Sequence, residues 1–219
     1  MPTSTRWGDR EARRRDILLA SAALLERLGF HGFHIRDVAH DAGVSPATVY
    51  TYFAGKEELF ATLYAERLER FHAEIAPVCA AAESAEDLFA EITTRWLDVY
   101  RVFGRELNLW SLLLARDAGE GGELARPLVD AAGKVLATVY AATERVFSGP
   151  DGRLAGTPEA GLVMPLLWAT LNGVAEQFTG DRHLLHAYSA EDLARFAARA
   201  LAEGIGSAAG GRSEAPPRG

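Results

Sequence analysis

Residues 35–53 read Ile35-Arg-Asp-Val-Ala-His-Asp-Ala-Gly-Val-Ser-Pro-Ala-Thr-Val-Tyr-Thr-Tyr-Phe53, a pattern typical of two short helices that cross at a sharp turn. Ala39 is small enough for the second helix to pack against the first, and Gly43 can adopt the positive φ that the turn requires. Ser45 is placed to cap the second helix, whose first turn accepts Pro46 because no backbone hydrogen bond is lost there. The stretch predicts a helix-turn-helix, with helices over residues 35–42 and 46–52.

The N-terminal tip of the second helix is built from small residues, namely Ser45, Pro46, Ala47 and Thr48. In helix-turn-helix proteins this tip enters the major groove of DNA. Small side chains let the helix lie deep, hydroxyls can bond to base edges, and methyl groups can contact thymine. The tip is followed by Tyr50, Tyr52 and Lys56, whose side chains are of the types that bind DNA phosphates. For the two tyrosines the alternative is that they only pack beneath the turn.

The distribution of charge is compatible with DNA binding although the whole chain carries −7. Residues 1–56 contain eight Lys or Arg and six Asp or Glu, a balance of +2, which leaves −9 for the remainder. An acidic body is repelled by phosphates while a mildly basic head approaches them, so binding would be oriented. An arginine run at residues 10–15 is either a solvated face or a further contact to phosphates or the minor groove.

The sequence lacks the features that are typical of membrane proteins, disulfide-linked proteins, metal-binding proteins and enzymes. The longest apolar stretches, around residues 109–115 and 161–171, are shorter than the roughly 20 residues that cross a bilayer. Cys79 is the single cysteine, which excludes an internal disulfide or a cysteine-cluster metal site. His183 and His186 have no accompanying Glu-x-x-His motif or nucleophile elbow, and no Gly-rich phosphate loop follows a strand. We therefore expect no enzyme, no metal, no cofactor and no membrane segment, and a bacterial cytoplasmic location.

Helical periodicity runs along nearly the whole chain, which predicts an all-α fold of about nine helices. Ser84 and Ser189 each precede an acidic residue by three positions, as in capping boxes, and Thr157 precedes a first-turn proline. A long helix is expected to begin at Lys56 and to end before Pro77. The predicted division is a flexible N-terminal arm over 1–9, a three-helix DNA-binding domain over 10–55, a helical regulatory and dimerisation domain over 56–205, and a disordered tail over 206–219.

Over about residues 10–70 the chain resembles the TetR/AcrR-type transcriptional regulators. The resemblance rests on Gly29-Phe30, Gly32-Phe33, Ile35, Val38-Ala39, Ala42-Gly43-Val44-Ser45, Thr48-Val49-Tyr50, Tyr52-Phe53 and Lys56-Glu57-Glu58-Leu59. His34 departs from the pattern, because the family often has a capping Thr or Ser there, a hydroxyl that contributes about 1 kcal/mol. The resemblance implies that residues 45–48 face bases. It also implies that Tyr50, Tyr52 and Lys56 contact the phosphate backbone of the DNA. Arg36 is a further candidate for a phosphate contact.

The resemblance also implies an inducer cavity among the central helices, for a small apolar or amphipathic ligand. The aromatic candidates for its wall are Trp96, Tyr100, Phe103, Trp110, Tyr140 and Trp168, although aromatics at helical spacing are more often core than pocket. Asn172 and Gln177 are polar candidates, because a buried amide needs a partner. Pro165 lies within the same predicted helix and is expected to kink it.

Strips of small residues on the last two long helices indicate a dimer interface, consisting of Ala169 and Gly173 on one and Ala194, Ala197, Ala198 and Leu201 on the other. A homodimer would place two recognition helices about 34 Å apart on a palindromic double-stranded operator. The expected function is therefore a sequence-specific homodimeric repressor that a small-molecule ligand releases from its operator. The alternative is a helix-turn-helix regulator without such a ligand, acting constitutively, as an activator or under the control of a protein partner.

Overall fold

A computed structural model of the chain describes residues 5–104, 126–148, 160–179 and 187–210. Within these ranges the chain forms helices and no strand, so the all-α prediction is confirmed. The eight described helices are α1 (Thr5–Gly32), α2 (Ile35–Asp41), α3 (Pro46–Tyr52), α4 (Lys56–Ala81), α5 (Ala85–Phe103), α6 (Arg126–Ser148), α7 (Ala160–Thr179) and α8 (Ala190–Gly210).

The described residues fall into two compact units. Unit 1 holds residues 5–68 and 126–132, and unit 2 holds residues 69–104, 133–148, 160–179 and 187–210. Helices α4 and α6 each contribute residues to both units. The helix-turn-helix lies in unit 1, and the aromatic-rich segments lie in unit 2.

Unit 1 is built around apolar side chains from the first four helices and from the segments that join them. The largest of its fully buried side chains are Ile17, Leu24, Leu25, Phe33, Val38, Val49, Phe53, Leu59 and Phe60. Helix α1 is interrupted at Gly29, where φ is 68° and ψ is 174°. This break turns the chain so that Phe30 and Phe33 both enter the core, with Phe30 packed edge-on against Phe60 at 5.0 Å between ring centroids.

Unit 2 is organised around α5, which contacts both α7 and α8. One side of α5 is buried, with Leu88, Ile92, Trp96, Val99 and Phe103 all in the interior. Both predicted caps are confirmed, because the Ser84 hydroxyl accepts from the Asp87 amide and the Ser189 hydroxyl accepts from the Asp192 amide, each at 3.1 Å.

Two ion pairs join α8 to the first turn of α5. Arg195 lies 2.6 Å from a carboxylate oxygen of Asp87, and Arg199 lies 2.7 Å from one of Glu86. Hydrogen bonds from Arg195 and from the Ser84 hydroxyl hold the pKa of Asp87 below its ordinary value of 3.8. These exposed pairs fix the end of α5 that also carries the Ser84 cap, although ion pairs at the surface contribute little stability.

The prediction that α4 ends before Pro77 is wrong, because the helix continues to Ala81. Pro77 lacks the amide that would bond to the carbonyl four residues earlier. The last turn has tertiary support, however, since the guanidinium of Arg145 on α6 donates to the carbonyl oxygens of Cys79, Ala80 and Ala82. A cation bound to the carbonyls at a helix C-terminus is favourable, and sequence periodicity does not reveal that this partner is present.

The ends of the helices differ from the predicted domain bounds. Helix α1 begins at Thr5, inside the segment predicted as an arm, and α8 continues to Gly210, inside the segment predicted as a tail. Helix α7 continues through Pro165, while its predicted start at Thr157 lies outside the described residues. The division into domains stays a prediction.

Candidate nucleic-acid interface and regulatory pocket

The turn between α2 and α3 has the geometry that its residues predict. Gly43 adopts a φ of 65°, in the region that favours glycine, and its amide donates to the His40 carbonyl at 3.1 Å. The Val44 amide then donates to the carbonyl of Ala39 at 2.9 Å. Ala39 is itself buried, together with Val38, so α3 is fixed against α2 by backbone hydrogen bonds and by close packing.

Ser45 caps α3 as predicted. Its backbone is extended, and its hydroxyl accepts from the Thr48 amide at 3.1 Å and lies 2.8 Å from the Thr48 hydroxyl. Pro46 occupies the first turn, where it sacrifices no hydrogen bond. The cap satisfies one of the free amides at the helix start.

The predicted base-facing residues lie at an exposed tip. Ser45, Pro46 and Ala47 are exposed and Thr48 is half-buried, while Val49 directly behind them is fully buried. Helix α3 is therefore anchored on one side and projects its N-terminal tip away from the core of unit 1. This is the arrangement that lets a recognition helix enter a groove.

The predicted phosphate-binding residues differ in their surroundings. The Tyr50 side chain is 57% exposed, so the alternative that it packs beneath the turn is wrong. Tyr52 is half-buried, with the Arg10 guanidinium 5.8 Å from its ring centroid. Arg36, near the start of α2, is exposed.

Lys56 has a structural contact that the sequence pattern did not reveal. Its Nζ lies 4.3 Å from the ring centroid of Phe30 and 5.3 Å from that of Phe33, both within cation–π range. The Glu58 carboxylate accepts from the Ala54 amide and so caps the start of α4. Lys56 therefore joins the Gly29 segment of α1 to the start of α4, whether or not it also meets DNA.

His34 precedes α2 in extended conformation and its side chain makes no capping hydrogen bond. The departure from the family pattern is therefore reflected in the structure. Its backbone carbonyl accepts from the Asp37 and Val38 amides at 3.0 and 3.1 Å, so the helix starts at the expected residue without a side-chain cap.

Unit 2 contains a pocket with about 480 Å³ of empty space, which includes space open to solvent. Its walls come from α4, α5, α6 and α7, and the described lining residues are Phe71, Ala85, Leu88, Phe89, Ile92, Val135, Val139, Thr143, Met164, Leu167, Trp168 and Leu171. Pockets for small molecules commonly have a predominantly apolar wall of this kind.

Among the predicted ligand residues, Trp168 lines the pocket and Trp96 supports it from behind. The Trp96 ring is 5.0 Å from that of Trp168 and 5.3 Å from that of Phe71, another wall residue. Trp96 donates its indole N–H to the Asn172 side-chain oxygen at 3.1 Å, and Asn172 donates to the Trp168 carbonyl at 3.0 Å. Asn172 therefore supports the aromatic wall and is not itself a wall residue.

The other predicted ligand residues are not brought to the pocket wall. Tyr100 is buried and donates its hydroxyl to Glu176 at 3.1 Å, and burial followed by this hydrogen bond raises the pKa of Tyr100 to about 12. Phe103 is buried, Gln177 is half-buried and Tyr140 is 50% exposed. Trp110 lies outside the described residues.

Two of the predicted dimer-interface residues need correction. Ala194 and Ala198 are 0% and 1% exposed in the single chain, because α8 turns this strip toward the interior of unit 2, so they cannot face a partner. Ala169 and Gly173 on α7 are exposed, and Ala197 and Leu201 are half-buried. The exposed apolar side chains that sequence reasoning missed are Leu162 and Leu166 on α7 and Phe196 on α8. The spacing of Leu162 and Leu166 from Ala169, seven and three positions, would have indicated these two.

In the described parts of the chain, no group of three or more His, Cys, Asp and Glu side chains could hold a metal ion. No helix in those same parts is long and apolar enough to span a bilayer.

Comparison with known proteins agrees with the helix-turn-helix geometry. Residues 17–63 match the family described as bacterial regulatory proteins, tetR family. The HTH-type transcriptional regulator BetI of Brucella canis is 24% identical over 166 residues, which are 64% of this chain and 83% of that protein.

Solved structures share the fold. A candidate transcriptional regulator from Pseudomonas aeruginosa PAO1 superposes with a TM-score of 0.62 at 18% identity, covering 94% of this chain and 95% of that one. The transcriptional regulator FadR of Bacillus subtilis, solved in complex with stearoyl-CoA, superposes with a TM-score of 0.57 at 16% identity, covering 88% and 97%. With the capped, exposed tip of α3, these findings show that residues 17–63 are similar to bacterial regulatory proteins of the tetR family and that the chain shares its helical fold with solved transcriptional regulators.

Proposed function

We propose that the chain is a homodimeric repressor that binds a palindromic operator through α3 and is released by a small apolar or amphipathic ligand bound in unit 2. The observation that carries the DNA-binding part is the exposed tip at residues 45–48, held by the Ser45 cap and by buried Val49. We place the protein in the bacterial cytoplasm, where an operator is accessible.

The roles proposed in the complex follow from exposure and chemistry. Ser45, Pro46, Ala47 and Thr48 face bases, since small side chains allow close approach in the major groove. Tyr50, Tyr52, Lys56 and Arg36 contact phosphates, which supply most of the affinity and no sequence information. The hydroxyl of Tyr50 is the best placed of these, because its side chain is the most exposed of the three that follow the tip.

The DNA-binding proposal is tested by selecting duplexes from a random library with the full chain and measuring their affinity. We expect an enriched palindrome with half-sites about one helical turn apart. Tyr50→Phe, which removes only the hydroxyl, should weaken specific and nonspecific binding alike by roughly tenfold. Tyr140→Phe, on the exposed surface of α6, is the matched control and should bind as the wild type. No enrichment, or equal affinities for all three proteins, would contradict the assignment.

Dimerisation is proposed through α7 and α8. The side chains at residues 162, 166, 169 and 173 recur every three or four positions and are all exposed, so they form one face of α7. Leu162 is 66% exposed, and Phe196 on α8 is 62% exposed. A second copy is the occupant we propose, because two recognition helices are needed to read successive major grooves and because small residues let helices of two copies approach closely.

Sedimentation of a charged variant tests this interface. Leu166→Glu should convert the protein to a monomer and greatly weaken operator binding, since burying an unpaired carboxylate is strongly unfavourable. Leu19→Glu, at a side chain 64% exposed on α1, is the control and should remain dimeric. A dimer that survives Leu166→Glu and Phe196→Glu together would refute the proposed face.

Release by a ligand is supported by the apolar pocket and by the path of α4. Helix α4 begins at Lys56 in the DNA-binding unit and carries Phe71, a wall residue of the pocket. A ligand that prefers one position of Phe71 therefore biases the helix that bears Lys56, and DNA must weaken that ligand reciprocally. The fold shared with FadR, which was solved with stearoyl-CoA, makes apolar chains a reasonable first class to screen.

The screen is run in two stages. Compounds that raise the melting temperature are found first, because binding to the folded state stabilises by mass action. Each is then tested for release of the selected operator. Ligands that stabilise the protein and release DNA support the proposal. If no stabilising compound releases DNA, the regulator acts without a small-molecule ligand.

A further inference from the structure

We propose that the pocket of unit 2 selects a neutral, mainly hydrocarbon ligand that carries one hydrogen-bonding oxygen, and that Thr143 is the residue that binds this oxygen. The inference rests on the proposed ligand-binding function and names the chemistry of that site. Two observations support it: the wall of the pocket is almost entirely apolar, and the single buried hydroxyl in that wall has no hydrogen-bond partner among the described residues.

The wall of the pocket is hydrocarbon almost throughout. Aliphatic side chains from α5, α6 and α7 face it, together with the rings of Phe71, Phe89 and Trp168. A charged group that entered would exchange its hydration for contact with these side chains, which is strongly unfavourable without a partner. The walls therefore favour neutral, apolar groups over ions.

Thr143 is the exception in this wall. It lies on α6, lines the pocket and is only 4% exposed. Among the described residues its hydroxyl has no hydrogen-bond partner, in contrast to the five threonines that donate to the carbonyl four residues earlier, Thr51, Thr93, Thr94, Thr170 and Thr179. A buried hydroxyl without a partner is unfavourable, and a ligand that supplies one gains from relieving that state.

The geometry of threonine makes this a usable binding group. In a helix its side chain populates two χ1 rotamers, so a small rotation exchanges methyl and hydroxyl at the pocket surface. The hydroxyl can donate or accept, and a ligand carbonyl, ether or hydroxyl oxygen meets either need. Trp168 also lines the pocket, and its indole N–H has no acceptor among the described residues.

The pocket volume limits the size of the enclosed part. The 480 Å³ of empty space includes space open to solvent, so at about 30 Å³ for each water-sized group the pocket encloses fewer than roughly fifteen non-hydrogen atoms. Straight-chain probes of about ten carbons fit this limit. The matched set is 1-decanol, 1-chlorodecane, which keeps the chain but is a poor hydrogen-bonding partner, and decanoate at a pH where it is ionised.

The experiment measures the affinity of the full chain for each probe, in the absence of DNA, from the change in tryptophan emission, to which Trp168 in the wall contributes. We expect 1-decanol to bind roughly 3- to 10-fold more tightly than 1-chlorodecane and at least 100-fold more tightly than decanoate. Thr143→Val keeps the shape and removes the hydroxyl, so the preference for the alcohol should disappear, while Thr143→Ser should retain it. Thr170→Val, whose hydroxyl already bonds to the Leu166 carbonyl, is the control and should leave all ratios unchanged.

Three results would overturn the inference: decanoate binding as tightly as 1-decanol, an alcohol preference that survives Thr143→Val, or no binding of any probe. Because DNA is absent from the measurement, these results are separate from a failure of operator release. If the protein binds 1-decanol through Thr143 but remains bound to its operator, the proposed release mechanism is wrong and the inference about Thr143 is unaffected.

Discussion

Gly29 is the position where a one-atom addition should have the clearest effect on the DNA-binding unit. Its φ of 68° and ψ of 174° lie in a region that essentially only glycine occupies. A Cβ placed there would meet no atom within 4 Å, so Gly29→Ala introduces no clash and its effect is purely conformational. Holding a residue with a side chain in such a region costs about 1–3 kcal/mol, and we expect that loss of stability.

The consequence should be concentrated in unit 1. The break at Gly29 directs Phe30 and Phe33 into the core and brings them beneath Lys56. Native-state hydrogen exchange of the Val38 and Val49 amides, which bond to the carbonyls of His34 and Ser45, reports opening of this unit. Exchange of both should accelerate roughly 5- to 150-fold, which is the expected energy expressed as an equilibrium ratio.

A second glycine provides the control. Gly133 lies within α6, has no positive φ, and a Cβ there also meets no atom within 4 Å. Gly133→Ala should therefore raise the free energy of unfolding in urea by up to about 1 kcal/mol, because alanine favours the helix. If Gly29→Ala unfolds within 0.5 kcal/mol of the wild type and leaves the exchange rates unchanged, the strain argument is wrong.

Three further substitutions test separate contacts. Ser45→Ala removes the cap of α3 and should lower the free energy of urea unfolding by about 1 kcal/mol. Thr51→Ala removes only a hydroxyl that bonds within its own helix, and it should lower the free energy of unfolding by about half that amount or less. Asn172→Leu leaves the indole N–H of Trp96, a side chain 1% exposed, without its acceptor and should cost about 1–3 kcal/mol by the same measurement; an unchanged value would contradict the pairing. The pKa of Asp87 is lower in the folded state than its ordinary value of 3.8, so its carboxylate stabilises the fold above pH 3.8, and this stabilisation is lost as the pH falls through the pKa of the folded state. The difference in free energy of unfolding between the wild type and Asp87→Asn should therefore be smaller at pH 3 than at pH 6. A difference that does not change with pH would refute this linkage.

Local features of the sequence were sufficient to predict the helix-turn-helix. Gly43, Ser45 and Pro46 act through backbone conformation and a cap three residues away, which depend on neighbours in the chain. The same holds for the caps at Ser84 and Ser189. Because each of these interactions is short-range, the pattern predicts them without knowledge of tertiary packing.

Contacts between distant residues could not be predicted in this way. The extension of α4 past Pro77 has support from Arg145, more than sixty positions later in the chain. The burial of Ala194 and Ala198 depends on which side of α8 meets α5, and a strip of small residues fits an internal interface as well as an external one. Likewise, Asn172 supports Trp96 and is absent from the pocket wall, although its apolar surroundings in sequence suggested a ligand contact.

Position 47 offers the most direct test of the claim that the tip of α3 enters the major groove. Cys79 is buried and burial raises its pKa, so an Ala47→Cys variant can be labelled selectively with a DNA-cleaving iron chelate. On the selected operator the conjugate should cut from the major groove at two places about one helical turn apart. The control is a Leu136→Cys variant with the same label, on an exposed part of α6, which should give no localised cuts. A position-47 conjugate that still binds the operator but cuts it nowhere in particular, or no more than the position-136 conjugate, would contradict the account.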